Sequence, residues 1–197
     1  MQHPRISSSH LSSPHRRRPR LAVYIDAENL SGQHAEQLMR LAKQRGRVTD
    51  CRAYGDWTTD FLLSWKKWLH PLGIRPMQQF RYSQGKNASD AALIMDVMER
   101  LHRGRVDGIC IASCDSDFVG LVGRAREHGL MVYGFGQHGA SPAFVAACDE
   151  FVFLDSPGGD RNHSHCDDNN TPGTPKGGGS VEVLMRQGLA PAALPRR

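Results

Sequence analysis

The stretch "ICIASCDSDFVGLV", residues 109–122, decides the fold. Ile109 to Ala112 form an apolar run without alternation, the pattern of a strand buried on both faces. Beyond it Phe118, Leu121, Val122 and Ala125 recur at helical spacing until Gly129 stops them. Between strand and helix stand two acids, Asp115 and Asp117. Carboxylates beside a core are costly unless donors or a cation accompany them. Either the start of the helix takes these two, or a metal does.

Working outward, the same alternation repeats. "LAVYI" (21–25) is another apolar strand, and a helix is expected over 33–45 with Leu38, Leu41 and Ala42 inward and Gly46 as its stop. "RVTDCRAY" (47–54) reads as a second strand, and 60–70 as a helix capped by Thr58 or Thr59. "IRPMQQF" (74–80) reads as an edge strand because of Pro76. A strong helix is expected over 90–102, and strands over 107–113, 130–135 and 150–154, with a short helix opened by Ser141-Pro142 before the last. This is an α/β order. It predicts a mostly parallel sheet of about five or six strands with helices on both faces.

Ligands of such folds bind beyond the carboxyl ends of the strands, where the strand order reverses. Asp115 and Asp117 lie there. So does Asp26, the first residue past "LAVYI", with Glu28 and Asn29 close behind. Asp90 joins them by helical geometry. With Asp90 at 0° and about 100° per residue, Leu93, Ile94, Val97, Met98 and Leu101 fall between about −60° and +80°. Asp90 thus heads the inward stripe, and Asp96, at about 240°, is expected on the other side. Each acid alone has an ordinary role: Asp90 in a first helical turn, Asp115 or Asp117 as a helix cap, Asp26 in a turn. Four converging carboxylates are another matter, since they stay ionised together only with cations among them. Hard oxygen ligands select Mg²⁺ or Mn²⁺. Asp56 is a fifth acid at the same edge.

The segments "YIDAENL" (24–30), "KNASD" (86–90) and "SCDSDF" (113–118) resemble, in this order, the NYN domain. That is a PIN-like, Rossmannoid ribonuclease fold of the kind found in LabA-like proteins, and the resemblance spans about 20–155. It implies a Mg²⁺- or Mn²⁺-dependent ribonuclease with Asp26, Asp90, Asp115 and Asp117 as catalytic metal ligands and Asn29 orienting ligands or phosphate. Lys86 and Arg81 are candidates for the substrate phosphate. Tyr82 and Trp57 are candidates to stack bases of a single strand, with closure of the core as the other reading of Trp57. Trp65 and Trp68, three apart on one helix, read as core.

The charge is placed to suit an anionic partner such as nucleic acid, with a tail that only aids solubility as the other reading. The net charge is +5, and residues 1–20 carry five arginines and no acid. This basic arm, 1–19, and the Gly/Pro-rich tail, 156–197, are expected to be disordered. Five cysteines without a CxxC pair argue for reduced thiols and a cytoplasmic protein. No apolar run reaches membrane length and no secretory h-region opens the chain. The expected partner is single-stranded RNA, with a homo-oligomer or an RNA-processing partner left open. The alternative to an enzyme is a non-catalytic, RNA-binding regulatory module.

Two other chemistries fail on the residues. Gly134, Gly136 and Gly139 imitate a dinucleotide fingerprint, yet they fall in the last βαβ unit and the helix starts only after them. An aspartyl-phosphate phosphatase needs D-x-D after strand one, where this chain has Asp26-Ala27-Glu28.

Overall fold

The computed structural model describes residues 17–80, 88–154 and 182–185. Seven strands form one sheet in the order β3-β2-β1-β4-β5-β6-β7. They are β1 (Arg20–Asp26), β2 (Arg47–Gly55), β3 (Arg75–Gln78), β4 (Gly108–Ala112), β5 (Met131–Gly136), β6 (Glu150–Phe153) and β7 (Val183–Met185). All neighbours pair in parallel except β6 and β7. The helices are α1 (Ala35–Arg45), α2 (Leu63–Leu72), α3 (Ala88–Arg103), α4 (Val119–Glu127) and α5 (Pro142–Ala147).

Alternation along β1 divides the core. Leu21, Val23 and Ile25 pack with α1 and α2, around Leu38, Leu41 and the buried Trp65. Ala22 and Tyr24 point to the other face, against Leu93, Val97 and Leu101 of α3 and Phe118 and Val122 beside and within α4. Burying each large side chain contributes about 1.5–3 kcal/mol, so α3 is held by the stripe that Asp90 heads. Four of the five helices carry an apolar face legible at period 3.6, which is why their placement follows the sequence.

The differences are local. A short 3-10 turn precedes α1 (Gly32–His34) and another precedes α2 (Asp60–Leu62). Thr59 opens the second, but its hydroxyl donates to the Asp56 carbonyl instead of capping. Helix α2 runs through Pro71 to Gly73, whose φ of 66° lies in the left-handed region that glycine adopts freely. Within 156–197, expected to lack structure, Val183–Met185 forms an antiparallel edge strand on β6. Its three residues follow a Gly-rich run, so composition hid a strand that only pairing stabilises.

Gly134 and Gly136 lie inside β5, not in a strand-to-helix turn. A Cβ on Gly134 would come within 2.3 Å of the Phe151 ring, and one on Gly136 within 2.7 Å of the Ser113 carbonyl oxygen. These glycines serve close packing across the sheet, which removes the dinucleotide reading.

Candidate metal centre

The strand order reverses between β1 and β4, which are paired in parallel from Leu21↔Gly108 to Ile25↔Ala112. One residue further on, the two strands present Asp26 and Ser113. The Ser113 hydroxyl, fully buried, donates to Asp26 Oδ2 at 2.9 Å. Asn29 donates to the same carboxylate through its side chain at 2.6 Å and its backbone N–H at 3.3 Å. Both Asp26 oxygens therefore accept hydrogen bonds. Burial pushes the Asp26 carboxyl up, and the bonds from Asn29 and Ser113 pull it back.

Ser113 also accepts the Asp115 N–H at 3.1 Å, so the ends of β1 and β4 are tied through one hydroxyl. Asp115 in turn caps the turn that leads into α4, its Oδ1 accepting the Asp117 N–H at 3.1 Å. The capping role and the ligand role are compatible. Capping uses one oxygen, and the other makes no hydrogen bond among the described residues.

Asp90, in the first turn of α3, completes the arrangement. One carboxylate oxygen from each of Asp90, Asp115 and Asp117 lies within 4.8 Å of the others. Asp90 makes no hydrogen bond or ion pair among the described residues. Its carboxyl is pushed up to about 6 by burial first, then by the negative charges of Asp26, Asp115, Asp117 and Glu28. Three such oxygens at this spacing suit a hard divalent cation, whose ligand distances are about 2.0–2.6 Å. The donor set, all carboxylate, fits a hard divalent cation and not a thiol-seeking metal.

The structure thus brings together three of the four acids expected as ligands. Asp26 stands outside the three-carboxylate group, with both oxygens engaged. Asp56 is buried and accepts from Thr58 and Gln78, as a turn-forming acid. Trp57, partly buried, donates its indole N–H to the Met77 carbonyl at 3.2 Å and packs against the core. Lys86, Arg81 and Tyr82 lie outside the described residues. Ser113 was missed by sequence reasoning. Its signal was present: it is the polar residue ending an apolar strand, in line with Asp26.

A reversing, mostly parallel sheet with a carboxylate cluster at its carboxyl edge is consistent with a PIN-like fold. The chain belongs to the NYN domain family, which matches residues 20–155; NYN domains are generally nucleases. Among solved structures it is similar to a protein of unknown function from Vibrio parahaemolyticus, with 22% identity and a TM-score of 0.59. That match covers 74% of this chain and 97% of the other. A weaker similarity, with a TM-score of 0.29 and 18% identity, is to glycinamide ribonucleotide transformylase 1 from Symbiobacterium toebii. It covers 68% of this chain and 51% of that one. No curated protein matches the sequence. No helix among the described residues is long and apolar enough to cross a membrane.

Proposed function

We propose that this protein is a Mg²⁺- or Mn²⁺-dependent ribonuclease that hydrolyses phosphodiester bonds of single-stranded RNA, a LabA-like member of its family acting in the cytoplasm. The observation that carries the reading is the group Asp90, Asp115 and Asp117, with oxygens within 4.8 Å, at the point where the strand order reverses. Those three residues would hold the ion. A divalent ion supplies positive charge for the scissile phosphate and acidifies water toward neutral pH.

The chain's own residues do the rest. Ser113 orients Asp115 through its N–H and Asp26 through its carboxylate. Asn29 fixes Asp26, which adds charge to the site without being freed to move. Burial and the charge of its neighbours push the Asp90 carboxyl up to about 6, and a bound cation would offset both. Lys86 and Arg81 would contact the phosphate and Tyr82 a base.

The test is cleavage of labelled single-stranded RNA with Mn²⁺ or Mg²⁺, then with EDTA. Asp115→Asn should lower cleavage at least about 100-fold while leaving the melting temperature equal or higher. Activity that survives both EDTA and Asp115→Asn would sink the metal-dependent reading. RNA binding without cleavage under any divalent ion would favour the non-catalytic regulatory module.

A further inference from the structure

The acidic centre occupies the carboxyl edge of the sheet; at the opposite edge a group of cations surrounds the starts of β1 and β2. A cavity of about 440 Å³ opens there, lined by Arg17, Arg18, Arg20, Lys43, Gly46, Arg47 and Val48. Five of these seven residues are cations and none is acidic. The fold assembles them. Arg20 and Arg47 are the first residues of β1 and β2 and face each other in the parallel register. Lys43 comes from the last turn of α1.

Ordinary structural duties account for only part of this charge. Arg18 donates to the Lys43 carbonyl at 2.8 Å, covering the carboxyl end of α1. Arg20 pairs with Asp107, Nε to Oδ2 at 3.3 Å. The side chains of Arg17, Lys43 and Arg47 make no hydrogen bond or ion pair among the described residues. Arg45, next in sequence to this group, shows what a purely structural cation does here. It turns inward to Glu150 and to the Leu41 carbonyl. The charge also continues along the chain, since Arg5 and Arg16 precede the group and no acid lies in residues 1–20.

We infer that this cavity is a second RNA site, which grips the phosphodiester backbone away from the bond that is cut. The choice of RNA rests on the proposed nuclease reading; the need for a polyanion rests on the cavity alone. Arginine and lysine heads around a concave surface suit phosphate oxygens. Six residue steps of β1, from Arg20 to Asp26, separate the two sites by about 20 Å at 3.3 Å per step. An RNA must run around the sheet to touch both, a path longer than about 20 Å, which four nucleotides held at the acids do not span and twenty exceed. The chain would hold long RNA at the basic edge and present part of it to the acids.

The experiment measures binding of labelled single-stranded RNA of 4 and 20 nucleotides in EDTA, across a salt series. Wild type is compared with Arg17→Gln/Lys43→Gln/Arg47→Gln, whose fold is checked by thermal melting. Removing three phosphate contacts should lower the salt slope for the 20-mer by about 2 and its affinity about 10- to 50-fold at 0.15 M salt. The 4-mer should be cut by the variant, with Mn²⁺ present, at the wild-type rate. An unchanged slope and affinity for the 20-mer would overturn the proposal. So would tight binding of inorganic tripolyphosphate that the triple variant loses while 20-mer binding stays unchanged, because the cavity would then serve free polyphosphates. If the slope changes but wild type cuts neither RNA, the second site stands and the nuclease reading falls.

Discussion

Helix α3 carries two aspartates six residues apart, and the sheet treats them in opposite ways. Asp96 is met by cations and donors. Its Oδ2 accepts from the Tyr54 hydroxyl at 2.6 Å and from Arg52 at 2.7 Å. Arg52 also pairs with Asp50 at 3.1 Å, and Asp50 with Arg100. Burial and the Asp96 bond push the Tyr54 phenol up, so it stays a donor. Asp90 is met by other carboxylates instead, and burial first, then their charge, raises its affinity for a proton. One helix thus holds a carboxylate paired with donors and cations and a carboxylate set among carboxylates. A cluster of like charges at a ligand-binding edge is where a bound cation would add most.

The largest effect on stability should come from breaking the network around Asp96. Asp96→Ala removes the acceptor from two partly buried donors, and breaking such a pair costs about 3 kcal/mol. Equilibrium urea unfolding in EDTA would measure it. A loss below about 0.5 kcal/mol would mean that Arg52 and Tyr54 find new partners and that the contrast between the two acids is illusory.

Next comes the effect of a cation on the carboxylate cluster. Mn²⁺ at about 100 times its dissociation constant should stabilise the wild-type protein by about 2.7 kcal/mol. Asp115→Asn should lose most of that gain, because the ion loses one of three ligands. Thermal melting with and without Mn²⁺ reads both. An equal Mn²⁺ shift in the variant would place the ion elsewhere.

Much of this was legible before any coordinates. The apolar strands ending at Asp26 and before Asp115 gave both the parallel sheet and the crevice between β1 and β4, because each strand is buried on both faces and tolerates no acid until its end. Asp90 was legible because the stripe below it is regular. Asp96 was not. An angle of about 240° places it off the apolar stripe, yet α3 lies close enough to β2 for Tyr54 and Arg52 to reach it. Helix periodicity reports which residues are apolar, not which polar ones meet a partner across a layer. It follows that Asp96→Asn, attractive from sequence as a silent control, is a stability variant. The side chains of β2 carry the missing information, and single-sequence reading cannot pair Tyr54 with a helix 42 residues away. Strand β7 was illegible for a similar reason: its stability comes from β6, not from its own three residues.

A smaller effect tests the charge balance at Asp90 directly. The folded protein holds this proton up to about 6, whereas the unfolded chain releases it near the usual 3.8. The folded state therefore binds more protons between these values, and metal-free stability falls as pH rises through that window. Below about pH 4 the penalty is absent, and above about 6 it is fully present. Asp90→Asn should abolish this slope and stabilise the metal-free protein at pH 7 by about 1 kcal/mol, a value reduced for solvent screening of a partly exposed group. Urea unfolding in EDTA at several pH values checks it. A stability difference between wild type and variant that does not change with pH would sink the repulsion account.

The smallest effect ranks the neighbours. The charges that raise Asp90 act in the order Asp26, Asp115, Asp117, Glu28. Asp115 and Asp117 bring an oxygen within 4.8 Å of one on Asp90; Glu28 is not in that group and acts through space. Coulomb energy falls with distance and with screening. Following the Asp90 carboxyl by NMR titration in EDTA, Asp115→Asn should pull its midpoint down clearly, and Glu28→Gln only slightly, each in the same direction. Raising the salt should shrink the Glu28 effect more than the Asp115 effect, because the longer path crosses more solvent. A larger shift from Glu28→Gln would move the centre of negative charge toward β1. Glu28, and not Asp115 or Asp117, would then come next after Asp26 among the charges that raise Asp90.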